Sequence, residues 1–284
     1  LAPLARHYKD YAVWQERQSG SERARASQAF WTEQLAESSA PLDMPLDRAR
    51  GDRQTFAGDT YTFYIPSALV ARMKEIAASA GASLNSLLFA AYALLLKGTT
   101  HQSEFAIGAL AAGRSHPDTA RMIGMFNQFL PIRMQMADEL PILAFVDETH
   151  RRLLAAYEHG DVSFEHMMEA TPYPHDPSRN PLFDTMLILH NQFDDEKLAV
   201  RGNGWSMEPL PVSHGTSKLD FKLDLYSDGE GDLRAVLEYN TGLFDKGTME
   251  CLAARLLYIL EQTAASPDLI CGDVEMTTPA EEAA

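Results

Sequence analysis

Cysteine is almost absent. Cys251 and Cys271 are the only two in 284 residues, with no CxxC pair and no histidine at ligand spacing. A disulfide framework and a structural zinc site are therefore excluded, and the pair reads as thiols of a reducing cytoplasm. No apolar run approaches the roughly 20 residues that cross a bilayer. Positive charge is also in deficit: 24 Lys and Arg face 40 Asp and Glu, a net charge of −16. That balance argues against nucleic acid or an anionic membrane as partner, and basic density rises only around Arg23 and Arg25. GxGxxG, P-loop, HExxH and GxSxG signatures are all missing, which removes the commonest nucleotide, zincin and hydrolase readings. There is no signal peptide and no initiator Met; Leu1 opens abruptly in a Pro-containing stretch, as a piece cut from a longer chain would.

What is present is ordinary for a globular protein, 45% apolar and 23% charged. A chain this long can bury about 75% of its unfolded surface, as one large domain or two small ones. No internal repeat and no low-complexity tract interrupts it. Residues 7–18 open a helix that is expected to continue through 21–37, with Tyr8, Tyr11 and Trp14 along one face as a core stripe. A Pro- and Gly-rich loop spans 41–59. Strand 60–65 follows, then an amphipathic helix from Ser67 to Ser79, stopped by Gly81. Ser83 caps a helix that is apolar nearly all round and so belongs in the core. Strands are expected at 104–110 and 129–136 and a helix at 141–158. Asp161 or Ser163 caps a short helix, residues 176–193 are a loop feeding a strand, and 194–216 are expected to be a mobile loop around Trp205. A hairpin spans 221–226 and 233–239, and the last helix runs from 246 to 264. In the hairpin, Phe221, Leu223 and Leu225 point inward while Lys222 and Asp224 point outward. Alternating strand and helix over 60–265 predicts an α/β fold, a mixed sheet flanked by helices.

The stretch 104–133 organises the rest. It combines two apolar strands, a Gly113-Arg114 turn, and the pairs Ile107-Gly108 and Ile123-Gly124, where backbone must approach something closely. Arg114 and Arg133 close its two halves. One further pattern, His190 to Asp194, has the H-x-x-x-D spacing of carrier- and CoA-dependent acyltransferases. Leu189 precedes it instead of a second His, and Asp195 stands where Gly should follow. Chance accounts for the spacing.

Several strings together resemble the condensation domains of nonribosomal peptide synthetases. These are Tyr8-x-Asp10-Tyr11-Ala12-x-Trp14-Gln15, the run 108–116 (GALAAGRSH), the run 123–133 (IGMFNQFLPIR), the Pro45-Leu46-Asp47-Arg48 echo of P-x-D-x-P-R, His159-x-Asp161 with Phe164-Glu165, and Ser178 to Phe183 (SRNPLF). Two departures stand out: Ser163 replaces a Pro, and the family's V-N-T reads Asn127-Gln128-Phe129, which puts a longer amide, Gln128, at the family's amide position. The resemblance covers nearly all of 1–275.

The resemblance implies a chloramphenicol-acetyltransferase-like lobe. Two such lobes form a V around a tunnel in which a carrier-bound amine attacks a carrier-bound thioester. The family's HHxxxDG histidine motif lies upstream of the Tyr8 string and occurs nowhere in these residues. The chain is therefore expected to be the C-terminal lobe (1–268), with a linker toward an adenylation domain at 269–284, and to be inactive alone. Its partners would be the N-terminal lobe of the same domain, donor and acceptor carrier proteins and the adenylation domain. No cofactor is expected on the chain itself, substrates arriving on phosphopantetheine. Gln128, Asn180 and Asn191 are candidates for polar groups lining the tunnel, with Ser86 a fourth, and Arg133 and Arg179 for structural ion pairs. Alternatives are a non-catalytic module that docks carrier proteins or domains, a heterocyclisation or epimerisation relative, and a self-sufficient acyltransferase using His190.

Overall fold

Alternating strands and one-sided helices bury their apolar faces together only when the helices lie on the sheet. The computed structural model describes residues 4, 6–36, 41–114, 116–172, 176–190, 200–202, 205–207, 214–227 and 231–283. Their helices are α1 (Tyr8–Gln18), α2 (Glu22–Ala36), α3 (Ser67–Ser79), α4 (Leu84–Thr100), α5 (Ile142–Glu158), α6 (Phe164–Ala170), α7 (Lys246–Ala265) and α8 (Pro279–Glu282). The strands are β1 (Gly58–Ile65), β2 (Glu104–Ala111), β3 (Gln128–Gln135), β4 (Thr185–His190), β5 (Val200–Gly202), β6 (Trp205–Met207), β7 (Phe221–Ser227) and β8 (Leu233–Asn240).

Six strands form one mixed sheet in the order β1-β8-β7-β4-β2-β3, and β5 and β6 form a separate ribbon. β2, β4 and β7 run parallel, while β1, β8 and β3 pair antiparallel to their neighbours. β3 is an edge strand, the position in a sheet that tolerates Pro131. α4 packs on α3, α5 and α7 across one face of the sheet. Its Ser83 cap accepts from the Ser86 amide at 3.2 Å, and His101 ends it in the left-handed region at φ 58°. Leu87, Leu88, Phe89, Leu95 and Leu96 of α4 are buried, each contributing about 1.5–3 kcal/mol. The buried Tyr92 hydroxyl ties α4 to Thr185 of β4 at 2.5 Å.

Two N-terminal expectations are corrected. The single long helix is broken at Ser19-Gly20-Ser21, because Ser21 turns its hydroxyl to the Ala24 amide and starts α2 as a separate capped helix. Of the aromatic stripe only Tyr11 is core; Tyr8 and Trp14 are 37% and 41% exposed.

Residues 269–283 lie along the body. Ile142 donates to the Leu269 carbonyl, Cys271 to Leu140 and Gly272 to Asp138, each at 2.9 Å. Arg255 then grips Glu281 (2.8 Å), which also closes a capping box with Thr278. Hydrogen bonds from Arg255 and then from the Thr278 amide pull the Glu281 carboxyl down to about 2. A depressed carboxyl contributes stability above its unfolded value, lost as pH falls toward the folded one. Hydrogen exchange of 276–283 is expected to accelerate between about pH 4.5 and 2, and at neutral pH in Glu281→Gln. Unchanged protection in that variant would count against the clamp.

Cys251 is exposed, whereas Cys271 is buried, and burial pushes its thiol up to about 11. A thiol reagent is expected to label Cys251 in the native chain and Cys271 only after unfolding. Rapid labelling of both would contradict this packing.

Candidate functional site

In sheets with parallel strands, ligands sit in the crevice outside the strands' carboxyl ends. Here β2, β4 and β7 end at Ala111, His190 and Ser227. Immediately after β2, Gly113 adopts φ +62°, and any Cβ there would run into the Phe126 carbonyl oxygen. Only glycine lets these two backbones touch. Arg114 then spans the gap: it donates to the carbonyls of Thr119 and Met122 (3.1 Å to the latter), and its guanidinium lies 4.2 Å from the centre of the Phe126 ring. From the other side the Tyr8 hydroxyl donates to the Met125 carbonyl at 2.8 Å, and the Tyr8 ring fills the space beside Gly124. Tyr11, Met122 and Phe126 form a small core of their own beneath this loop.

The held loop delivers Gln128 to the first position of β3, opposite Ala111. Its side-chain oxygen lies against Gly160, 3.3 Å from where a Cβ would stand, at a cavity of about 350 Å³ lined also by Arg114, Tyr157 and Asp161. Arg114, Gln128, Tyr157 and Asp161 thus border one opening. Burial raises the Tyr157 phenol, and a hydrogen bond with the Asn85 side chain at the start of α4 opposes that. Asp161 also borders a larger cavity of about 660 Å³ between α1, α2 and α6, lined by Tyr11, Trp14, Arg23, His116 and His166. Arg23 pairs with Asp161 at 3.2 Å.

His190 lies at the same end of the sheet as Gln128. Its Nε2 meets Asp224 of β7 at 2.8 Å, and its ring stacks on Tyr226 at 4.3 Å. Lys222 joins Asp224 at 3.0 Å and Glu238 at 3.4 Å. Among the described residues the carboxylate that meets His190 is Asp224; Asp194, like Asn191, lies outside them. Asn180 sits at the opposite end, ahead of β4, where its side-chain oxygen accepts from the Leu182 amide at 3.3 Å. Ser86 is 1% exposed and bonds to Ser83 and to His150 Nδ1 (both 2.9 Å), joining α4 to α5. Arg133 pairs with Glu104 at 2.6 Å, and Arg179 with Asp184 at 2.9 Å.

The sequence reading missed Tyr157, Arg50, Asp184, Asp220 and the partner of His190. Tyr157 carries a weak signal, one helical turn from the buried Leu153 but 38% exposed. The others carry none: Arg50 and Asp220 stand 170 residues apart, His190 and Asp224 34, and Asp184, though five residues from Arg179, takes its second bond from Leu42, 142 residues away.

A family model described as "Condensation domain" matches residues 1–284. The chain belongs to the condensation-domain family. It is 35% identical over 285 residues to tyrocidine synthase 3 of Brevibacillus parabrevis, covering 99% of this chain and 4% of that protein's length. The condensation fold is equally plain in solved structures. A four-domain nonribosomal peptide synthetase bound to AMP and glycine superposes with a TM-score of 0.87 at 20% identity, over 94% of this chain and 21% of that one. The X-domain from teicoplanin biosynthesis, in complex with OxyB, gives 0.85 at 26% identity over 98% of this chain and 62% of that one. The expected mixed sheet flanked by helices is the observed condensation-domain architecture.

Proposed function

We propose that this chain is the C-terminal lobe of a peptide-synthetase condensation domain and takes part in amide-bond formation when joined to a lobe carrying HHxxxDG. In that reaction the amine of a carrier-bound aminoacyl group attacks the carbonyl carbon of a carrier-bound thioester. The C–N bond forms, the C–S bond breaks, the amine gives up a proton, and the donor thiol leaves on its phosphopantetheine arm. Positioning two tethered reactants supplies about 7–11 kcal/mol of such a barrier. Gln128, Asn180 and Asn191 are assigned to the tunnel lining, with Ser86 a fourth candidate; Gln128 and Asn180 stand at opposite ends of the sheet. Arg133 and Arg179 are assigned to holding the lobe through Glu104 and Asp184. Partners under this reading are the N-terminal lobe, donor and acceptor carrier proteins and an adenylation domain, in the cytoplasm.

The observation that carries the reading is a rigid loop presenting apolar side chains to water beside the Gln128 cavity. Ile123 is 88% and Met125 67% exposed, although the backbone is pinned at Met122 by Arg114 and at Met125 by Tyr8. Val13 and Trp14 extend the exposed apolar surface from α1. Apolar surface on a pinned scaffold is what a docking face for another folded body needs. The isolated chain is expected to form no amide from carrier-bound substrates and to self-associate through this face. Supplying an HHxxxDG lobe is expected to give turnover and a non-associating species. Amide formation by the chain alone would overturn the assignment, and its loss in His190→Ala would move the chemistry to His190.

A second reading, a docking module without chemistry, is favoured by the likeness to the X-domain, itself solved with OxyB. Under it the two-lobed protein binds a partner and forms no amide.

A further inference from the structure

Four charged side chains meet in the interior where three distant segments converge. Arg50, from the 41–57 segment, grips Asp220, just ahead of β7, with both terminal nitrogens (2.9 Å for one pair), and also donates to the Ser178 carbonyl at 3.1 Å. Arg179 donates to Asp184 Oδ2 at 2.9 Å and to the Leu42 carbonyl at 3.1 Å. The Leu42 amide donates to the same Asp184 oxygen at 3.0 Å. Asp184 and Asp220 are 3% and 2% exposed.

The two carboxylates are not equally satisfied. Asp220 has a forked guanidinium on both oxygens. Asp184 crowds all its bonds onto Oδ2, and its buried Oδ1 finds no hydrogen-bond partner among the described residues; nor does the buried Nε of Arg50. A buried carboxylate with one bare oxygen and a like charge beside it is the weak member of such a cluster. It is also the member that holds the loop 178–183, through Arg179.

We infer that Asp184 is a positioning residue whose charge state sets how firmly the 178–183 loop, and Asn180 on it, is held against the start of β4. The groups facing it are Arg179 and Asp176 of the loop, Arg50 and the Leu42 amide of the 41–57 segment, and Asp220 ahead of β7. Burial, then the neighbouring Asp220, raises the Asp184 carboxyl from 3.8 to about 6, against the pull of Arg179 and Arg50. Asp176 is held below its ordinary range by its hydrogen bonds with Ser178, so it stays ionised through this window.

The direction follows from linkage. Opening the loop to water returns Asp184 to its ordinary value, so opening releases a proton between about pH 4 and 6. Opening becomes easier as pH rises through that window, by roughly 100-fold in total, and is constant above it. The hold on the loop bears on chemistry only if Asn180 lines the tunnel as proposed, but it is tested without any reaction.

Hydrogen exchange of peptides covering 176–184 in the 284-residue chain, from pH 4 to 7.5 and corrected for intrinsic exchange, reads the opening equilibrium. The expected result is a rise approaching 100-fold in the wild type that is absent in Asp184→Asn, with peptides from α4 unaffected. A flat wild-type profile overturns the inference even if the variant fails to fold, as does a rise that persists in Asp184→Asn. Turnover of the two-lobed enzyme with Asn180→Ala separately tests the tunnel assignment, so the two fail independently.

Discussion

Asp220→Ala is expected to remove about 3–5 kcal/mol of stability, among the largest losses from any single substitution in this chain. The Asp220 side chain is 2% exposed and that of its partner Arg50 14%. Truncating the acid leaves a guanidinium buried beside one remaining carboxylate, Asp184, whose single bonded oxygen is already shared between Arg179 and Leu42. The intact pair is not thereby a large net stabiliser, because taking both charges from water offsets most of their attraction. Its removal hurts because it strands one of them. Arg50→Met combined with Asp220→Ala therefore recovers part of the loss, since the stranded charge is gone too. At about 2–4 °C per kcal/mol for a domain of this size, the single variant melts roughly 10 °C lower. A double variant no more stable than Asp220→Ala would show that the cost lies in packing rather than in the orphaned charge.

That cluster also marks where the sequence stops being legible. Periodicity placed the strands of the main sheet and helices α3 to α7, because two- and 3.6-residue patterns are local properties of the chain; the short β5–β6 ribbon and α8, in stretches read as loop and linker, escaped it. It also turned Lys222 and Asp224 away from Phe221, Leu223 and Leu225. It did not reveal that Asp224 is nonetheless buried, with His190 and Lys222 bonded to it. Outward on a strand means exposed only if nothing lies across that face. Tyr8 and Trp14 fail for the reverse reason, since a helical stripe of aromatics reports an apolar face and not what covers it. The motif strings brought Gln128 to the carboxyl ends of the parallel strands, where a site belongs. Its neighbours come from the end of α5 (Tyr157) and the turn after it (Gly160 and Asp161); Asp161 stood in a motif string, but nothing local marked it as a companion of Gln128. Ion pairs between residues more than a hundred positions apart carry no periodic signal; Arg50 looked like any charge in a loop.

Gly113→Ala is expected to cost on the order of 3 kcal/mol and to reach the site directly. At φ +62° an alanine pays the left-handed penalty of about 1–2 kcal/mol. Its Cβ would also meet the Phe126 carbonyl, a backbone atom that cannot rotate aside. Phe126 has little freedom to retreat: its ring packs on Tyr8 at 5.1 Å and Tyr11 at 4.8 Å, with Arg114 over its face. The strain passes along Asn127 to Gln128, and a displacement near 1 Å at a positioning group lowers turnover about 100-fold. Gly81→Ala is the control. It has nearly the same φ, +66°, with nothing within 4 Å of an added Cβ, so it carries the conformational penalty without the collision. Melting temperature for both variants and amide formation in a two-lobed enzyme separate the two contributions. If Gly113→Ala melts no lower than Gly81→Ala and turns over normally, the contact between the 113 turn and Phe126 does not set the position of Gln128. If it melts lower and loses turnover while Gly81→Ala keeps it, the rigid loop is what aims that amide into the crevice.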